Sequence, residues 1–499
     1  MYLSILMLLL WYGFIFYLIF FFFLLIIFLL FFKLMFLYSI DKISIYKNLL
    51  KCVFSFLFFF FTAALSSTYF LFSNYFAPFF YYSNSFFFFE NFQNFFNINV
   101  LVLNFNLLNI YCFPFMYIFI LITILSIFFC LTYSTNEVIL FTFYCVIILI
   151  FGYVLFFTNS LILFFFAYEM LLIPSFLILY KFAKTRRCIE AAYLMFFWTQ
   201  FGALFLIFSF LYLFFVCGLS SFSHISNTNF SKFEINFLFL CWIIGFGVKL
   251  PIWPFYGWLP KAHVEASTNF SIFLSGVLVK FAFFGLLKCL LVLQTEPTFF
   301  FVYPFLTIGL VDAVFKLFYQ IDLKKLVAYS TVVEMHWLTI CIISGQSPLA
   351  LASFCMLISH ALLSTNSFFL VDAINRRFKT RLITEISGIN FICPKLFLVI
   401  LANSLVFLGF PGTIFFIAEF LFFSFFLDLF PLLALFLIVL LYLLGPTFFF
   451  RTWMNAMFGF SENVLKKAPL DLSKKEFLVY SGLIVLMFWL GLSWQSFIF

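Results

Sequence analysis

The chain has 499 residues, of which 67% are hydrophobic, 26% aromatic and only 9% charged, with a formal net charge of +8. A soluble domain cannot hide that much apolar surface, so composition excludes the soluble classes and leaves an all-α polytopic membrane protein. Phenylalanine alone supplies 96 residues; a lipid-facing helix accepts leucine equally well, so the excess points to drift towards thymine-rich codons, as in an AT-rich organelle genome.

Crossing a hydrocarbon core of ~30 Å takes about 20 apolar residues in a helix. Fourteen such spans are expected, near 3–32, 49–73, 100–134, 137–157, 160–181, 190–218, 236–258, 264–293, 299–319, 325–345, 348–374, 394–427, 431–450 and 476–497. The first is too long for a signal-peptide core and has no small-residue cleavage site after it, so it reads as a retained helix. The third merges two shorter runs around Pro114. Of the 26 lysines and arginines, 21 lie in loops after odd-numbered spans and one, Lys232, in a loop after an even-numbered span. By the positive-inside rule the basic loops face the inner compartment and both termini the opposite side. The net positive charge is therefore a topology signal, and no nucleic-acid partner is expected.

Two spans are interrupted. Pro251 and Pro254 follow Lys249 in the seventh, and Pro411-Gly412 precedes Glu419 in the twelfth. Proline removes a backbone donor and clashes with the preceding turn, so both runs should unwind near their middles. Broken helices at corresponding places in two halves indicate two inverted five-helix repeats, an antiporter-like arrangement with ion sites at the breaks. The symmetry lies in helix order, not in repeated residues. The expected division is 1–134 for N-terminal helices, 135–293 and 294–450 for the two repeats, and 451–499 for a basic connector and the last helix.

Lys249, Lys280 and Lys288 interrupt long apolar runs. A charge at the bilayer centre costs at least ~3 kcal/mol on insertion scales, which makes each a candidate functional residue. A desolvated amine gives up its proton more readily than one in water, as moving protons requires. Lys288 lies nearest a span end, where a long stem can instead snorkel to the interface. Glu169 lies mid-run in the fifth span, which should pack beside the seventh, making Lys249 its expected partner. Glu334, His336 and His360 occupy the tenth and eleventh spans between Lys280 and Glu419. Histidine is the side chain most easily poised near neutral pH, although a lone buried histidine is more often a satisfied core group. Asp312 and Lys316, four residues apart, read as a structural pair on one helix face. The eleven cysteines include no C-x-x-C pair and the four histidines no H-x-x-x-H pair, so no disulfide or metal framework is expected. Without a glycine-rich phosphate loop, no nucleotide, flavin, haem or iron–sulfur site is expected either, and no cofactor is assigned.

The segments VKLPIWPFYGWLPKAHVEA (248–266), YQIDLKKLVAYST (319–331), SHALLSTNSFF (359–369) and LANSLVFLGFPGTIFFIAE (401–419) resemble the antiporter-like subunit family of respiratory complex I, the NADH–ubiquinone oxidoreductase. The resemblance runs from about Glu169 to Glu419; glutamate at the latter place marks one branch of the family, and lysine the others. It implies that Glu169 and Lys249 form a functional pair, that Lys280 is a central relay, and that His360 and Glu419 continue the path. Glu334, His336, Lys288 and His263 are further candidate relay groups. Three positions depart from the family pattern: Glu334 stands where relatives carry histidine, Tyr256 where they often carry histidine, and Ser267 where they carry proline. The function implied is proton translocation in the mitochondrial inner membrane, driven by remote electron transfer from NADH to ubiquinone. Implied partners are other membrane-arm subunits, neighbouring antiporter-like subunits among them, and membrane lipids, with the basic loops in the matrix. The alternative is a stand-alone cation/proton antiporter subunit of the same fold.

Overall fold

The computed structural model describes residues 105–129, 135–183, 185–218, 221–293, 302–345, 347–440, 453–458 and 470–493. The chain divides into two compact units, and the one formed by residues 83–491 contains the architecture that follows. The other, residues 1–82 with 492–499, lies almost wholly outside the described residues, as do the expected spans 3–32 and 49–73. Among the described residues the structure is helical, with two isolated backbone bridges and no strand.

In chain order the helices are α1 (Phe105–Phe128), α2 (Thr135–Phe157), α3 (Leu161–Met170), α4 (Leu172–Lys181), α5 (Arg186–Cys217), α6 (Phe222–Ile225), α7 (Lys232–Lys249), α8 (Trp258–Glu265), α9 (Thr268–Phe273), α10 (Val279–Val292), α11 (Val302–Phe318), α12 (Leu323–Ile343) and α13 (Ser347–Phe378). They continue as α14 (Ile389–Ile392), α15 (Pro394–Phe407), α16 (Ile414–Leu429), α17 (Pro431–Ile438) and α18 (Lys474–Leu492). Among the described residues seven stretches are long and apolar enough to cross a membrane: Glu137–Phe157, Leu161–Lys181, Arg186–Cys217, Thr268–Leu291, Leu323–Ile343, Pro348–Phe378 and Lys474–Leu492. They coincide with seven of the expected spans. The third and ninth spans appear as α1 and α11, and the thirteenth is described only as far as residue 440.

Local chemistry sets the helix ends. Ser231 and Glu234 form a reciprocal capping box on α7, and Thr185 caps α5. Gly218 closes α5 in the left-handed conformation at φ 64°, which costs a residue without a Cβ little. Within the fifth span Pro174 cannot donate to the Met170 carbonyl four residues back, and the helix is interrupted at Leu171.

Both expected breaks are present. α7 ends at Lys249, and the chain runs through Pro251 and Pro254 before a 3-10 turn at Phe255–Gly257 leads into α8. α15 ends at Phe407, Gly409 and Gly412 adopt positive φ of 69° and 91°, and Thr413 caps α16. The eighth span holds a further irregularity, with no proline to signal it, a π turn at Leu274–Leu278 just before Lys280.

The helices through Thr268–Leu291, Leu323–Ile343 and Pro348–Phe378 are enclosed by protein. The outer helices present Ile162, Phe197, Phe215, Leu432 and Leu478 outwards. Such apolar exposure suits lipid, where backbone groups are already satisfied within each helix.

Candidate functional site

The first break places Lys249 at the last residue of α7, where a cation complements the helix dipole. Its ammonium donates to the Tyr168 carbonyl at 3.1 Å and lies 3.4 Å from the centroid of the Tyr168 ring. Glu169, the expected partner, makes no ion pair with it within 4.0 Å; one carboxylate oxygen instead accepts from Gln200 Nε2 at 2.9 Å. The two charges are within electrostatic reach of each other, so they are neighbours without being in contact. Beyond Lys249 a cavity of about 30 Å³ is lined by Tyr168, Ser175, Thr199, Lys249 and, on the eighth span, Leu274, Leu278, Val279, Phe281 and Ala282. A water molecule needs at least ~10–15 Å³ of such space and a few polar partners. The lining here is mostly apolar, so the cavity gives Lys249 open space rather than a built water site, and it reaches the π turn that precedes Lys280.

Lys280 is completely buried. Its ammonium donates to the Ser275 carbonyl inside the π turn and lies 2.5 Å from His360 Nδ1 on α13. With Lys280 protonated, its ammonium has only donors, so Nδ1 accepts and Nε2 carries the imidazole proton. That Nε2 faces Glu334 of α12, 3.9 Å from Oε2. The separation is too long for a hydrogen bond, and neither atom has another hydrogen-bond partner. Lys280, His360 and Glu334 thus form a line with one closed link and one open link. Glu334 is within electrostatic reach of Glu419, which is buried on α16 with its carboxylate over Gly409 of the second break. Between α13 and α15, Asn366 and Asn403 hydrogen-bond at 2.9 Å, and Asn403 donates to Ser367 at 3.0 Å.

Three other candidates have partners that define different tasks. Lys288 is buried rather than snorkelling, and its ammonium bonds the carbonyls of Leu155, Phe156 and Thr158 at the end of α2. That is the work of a helix C-terminal cap. His336 accepts from the Trp253 amide at 2.8 Å through Nε2 and bonds the Val332 carbonyl at 2.8 Å through Nδ1. Both nitrogens are satisfied, so this histidine is a splint that pairs an amide freed by the first break. Asp312 and Lys316 do pair, at 2.8 Å, but Tyr256 joins them, donating to Asp312 and accepting from Lys316 at 2.5 Å. His263 is completely buried against Phe368, and neither ring nitrogen has a hydrogen-bond partner.

Lys324, one of the two lysines counted in the loop after the ninth span, does not lie in a loop. The residue lies in the first turn of α12, buried, donating to the Ala266 carbonyl at 2.5 Å. Gln200 and Tyr168 carry no local signal that separates them from ordinary span residues, and Lys324 none that separates it from a loop lysine.

Two broken helices flanking a buried line of ionisable side chains define an antiporter-like membrane protein. A family model described as NADH:quinone oxidoreductase/Mrp antiporter, TM, matches residues 158–445, and the chain belongs to that family. It is 37% identical over 318 residues to NADH-ubiquinone oxidoreductase chain 4 of Paramecium tetraurelia, covering 63% of this chain and 67% of that one. Chain 4 of Marchantia polymorpha is 32% identical, over 64% of this chain and 65% of that protein. The match thus spans about two thirds of the length of these relatives. Among solved structures, respiratory complex I from Thermus thermophilus with bound NADH matches with a TM-score of 0.66 at 20% identity, covering 77% of this chain and 82% of that one. The Mrp complex from Dietzia sp. matches with a TM-score of 0.67 at 20% identity, covering 77% and 43%. At such identities the structural likeness establishes the fold.

Proposed function

We propose that this chain is a proton-translocating membrane-arm subunit of NADH:ubiquinone oxidoreductase, seated in the mitochondrial inner membrane beside other antiporter-like subunits. Its basic loops face the matrix, and it takes no part in electron transfer itself. The observation that carries the reading is the buried Lys280–His360–Glu334 line beside a π turn. Three ionisable groups at membrane depth are costly to insert, and such groups line ion and proton pathways. A proton passed from the Lys280 ammonium to His360 Nδ1 leaves a neutral amine and an imidazolium. Loss of the Nε2 proton to a Glu334 carboxylate then restores the neutral ring. Closing the 3.9 Å gap needs only a small side-chain movement or one bridging water. Lys249 and Glu169 feed the line from the first break, and Glu419 receives from it at the second.

Lys280→Ala tests this in the assembled complex. Protons moved per NADH oxidised should fall while the subunit still assembles, and an unchanged ratio would discard the reading. Glu419→Gln keeps the shape of the side chain but removes its titration, so the same loss is expected. The stand-alone antiporter alternative shares the fold; chromatography separates the two, because only the proposed subunit travels with a quinone oxidoreductase. Protease protection in inner-membrane vesicles tests the orientation: cleavage of the loop at Arg376–Arg381 from the intermembrane side would reverse it.

A further inference from the structure

Polar groups occur at two levels along three neighbouring helices. On α13 the central level is His360, and the level nearer the basic loops is Asp372, whose carboxylate accepts from Thr268 at 2.9 Å and pairs with Arg376 at 2.8 Å. On α12 the central group is Glu334 and the other is Lys324, bonded to the Ala266 carbonyl. On the eighth span the central group is Lys280 and the other is Thr268. At ~1.5 Å per residue these separations are roughly 18, 15 and 18 Å, so the levels correspond on all three helices.

His263 lies between them. Its ring stacks on Phe368 of α13 with centroids 4.9 Å apart. Phe368 is eight residues, about 12 Å, beyond His360 and four residues, about 6 Å, short of Asp372. Both Lys280 and Lys324 are within electrostatic reach of the imidazole, as is His360. The ring is wholly buried, yet neither nitrogen has a hydrogen-bond partner, and leaving buried polar atoms unpaired costs ~1–3 kcal/mol. A stacked core histidine gains nothing from that arrangement. The groups beyond it lead outwards: Arg381 donates to the Val264 carbonyl at 3.1 Å, pairs with Asp322 at 2.8 Å and is 37% exposed.

We infer that His263 is the relay between the central Lys280–His360–Glu334 line and the basic-loop face, with Lys324 as the next group outwards. A proton taken up at one ring nitrogen makes an imidazolium, and release from the other returns the neutral ring with the proton moved across it. Water completes the links on either side. This inference rests on the proton-translocation reading, and the test separates the two.

His263→Gln keeps a polar side chain that cannot titrate, and His263→Phe fills the space with an apolar ring. Both are measured beside Lys280→Ala as protons moved per NADH oxidised by the assembled complex in inner-membrane vesicles. The expected result is that both His263 variants lose as much as Lys280→Ala. If Lys280→Ala loses pumping and both His263 variants keep the unsubstituted ratio, the relay is overturned and the wider reading stands; if Lys280→Ala also keeps it, both fall. Should the variants fail to assemble, the unaltered complex at water-resolving resolution decides. Ordered water on both ring nitrogens, leading towards His360 and Lys324, supports the relay, and a dry ring overturns it.

Discussion

The two breaks do the same thing to the backbone and are held by opposite means. At the first, prolines end α7, and side chains from distant helices satisfy what the break frees: His336 takes the Trp253 amide, and Tyr256 is held between Asp312 and Lys316. Trp258 donates to the Val248 carbonyl at 2.8 Å across the interruption. At the second, glycines make the bend, Thr413 caps the outgoing helix, and α18 crosses so closely that Gly491 has no room for a Cβ beside the Gly412 carbonyl. One break is splinted by side chains and carries a lysine; the other is closed by backbone contact and carries a glutamate. The contrast separates residues that shape a break from the ionisable residue lodged in it, a distinction that unwinding alone does not reveal.

Substitutions can break this contrast in a graded order. The largest effect should come from Gly491→Val. The obstructing atoms are backbone, which cannot swing aside, so assembled subunit should be absent on native gels; normal assembly would show that α18 does not clasp the second break. Next is His336→Ala, which leaves the part-buried Trp253 amide without its partner. A cost of about 1–3 kcal/mol is expected, seen as earlier thermal inactivation. Protons moved per NADH by the surviving complex should not change, and a lowered ratio would return His336 to the relay. Gly409→Ala comes third. Holding a residue with a Cβ at φ 69° costs about 1–2 kcal/mol, and the new methyl would displace the Glu419 carboxylate. A pumping defect larger than the stability loss is the expected signature. Smallest is Tyr256→Phe, which removes one partly buried hydroxyl; about 1 kcal/mol is expected, measured as a shift in denaturant midpoint. An effect as large as that of His336→Ala would mean the tyrosine cluster is the main splint.

Much of this was legible from the chain. The breaks were, because proline and glycine act on their own backbone and need no distant partner. The π turn was not, since LSGVL carries no residue that forces it; it exists where the Lys280 ammonium meets the Ser275 carbonyl and His360. The Glu169–Lys249 pairing was expected from helix order, and the two are electrostatic neighbours without an ion-pair contact. Adjacent helices bring residues to the same depth, while the final ångströms depend on which nearer acceptor, here the Tyr168 carbonyl, reaches the ammonium first.

The amino-acid sequence by itself determined the membrane class, the positions of both breaks and the presence of ionisable groups within apolar spans, because each is a local property of composition or a single residue type. The tertiary structure alone decided what those groups do. Lys280 meets a histidine 80 residues away, Lys288 meets carbonyls 130 to 133 residues away, and His336 meets an amide 83 residues away. Helical periodicity says which face a side chain shares but not which helix will lie against it. Three buried groups that look alike in the sequence thus came to bond a histidine, the end of a helix and a freed amide according to the partner that packing supplied.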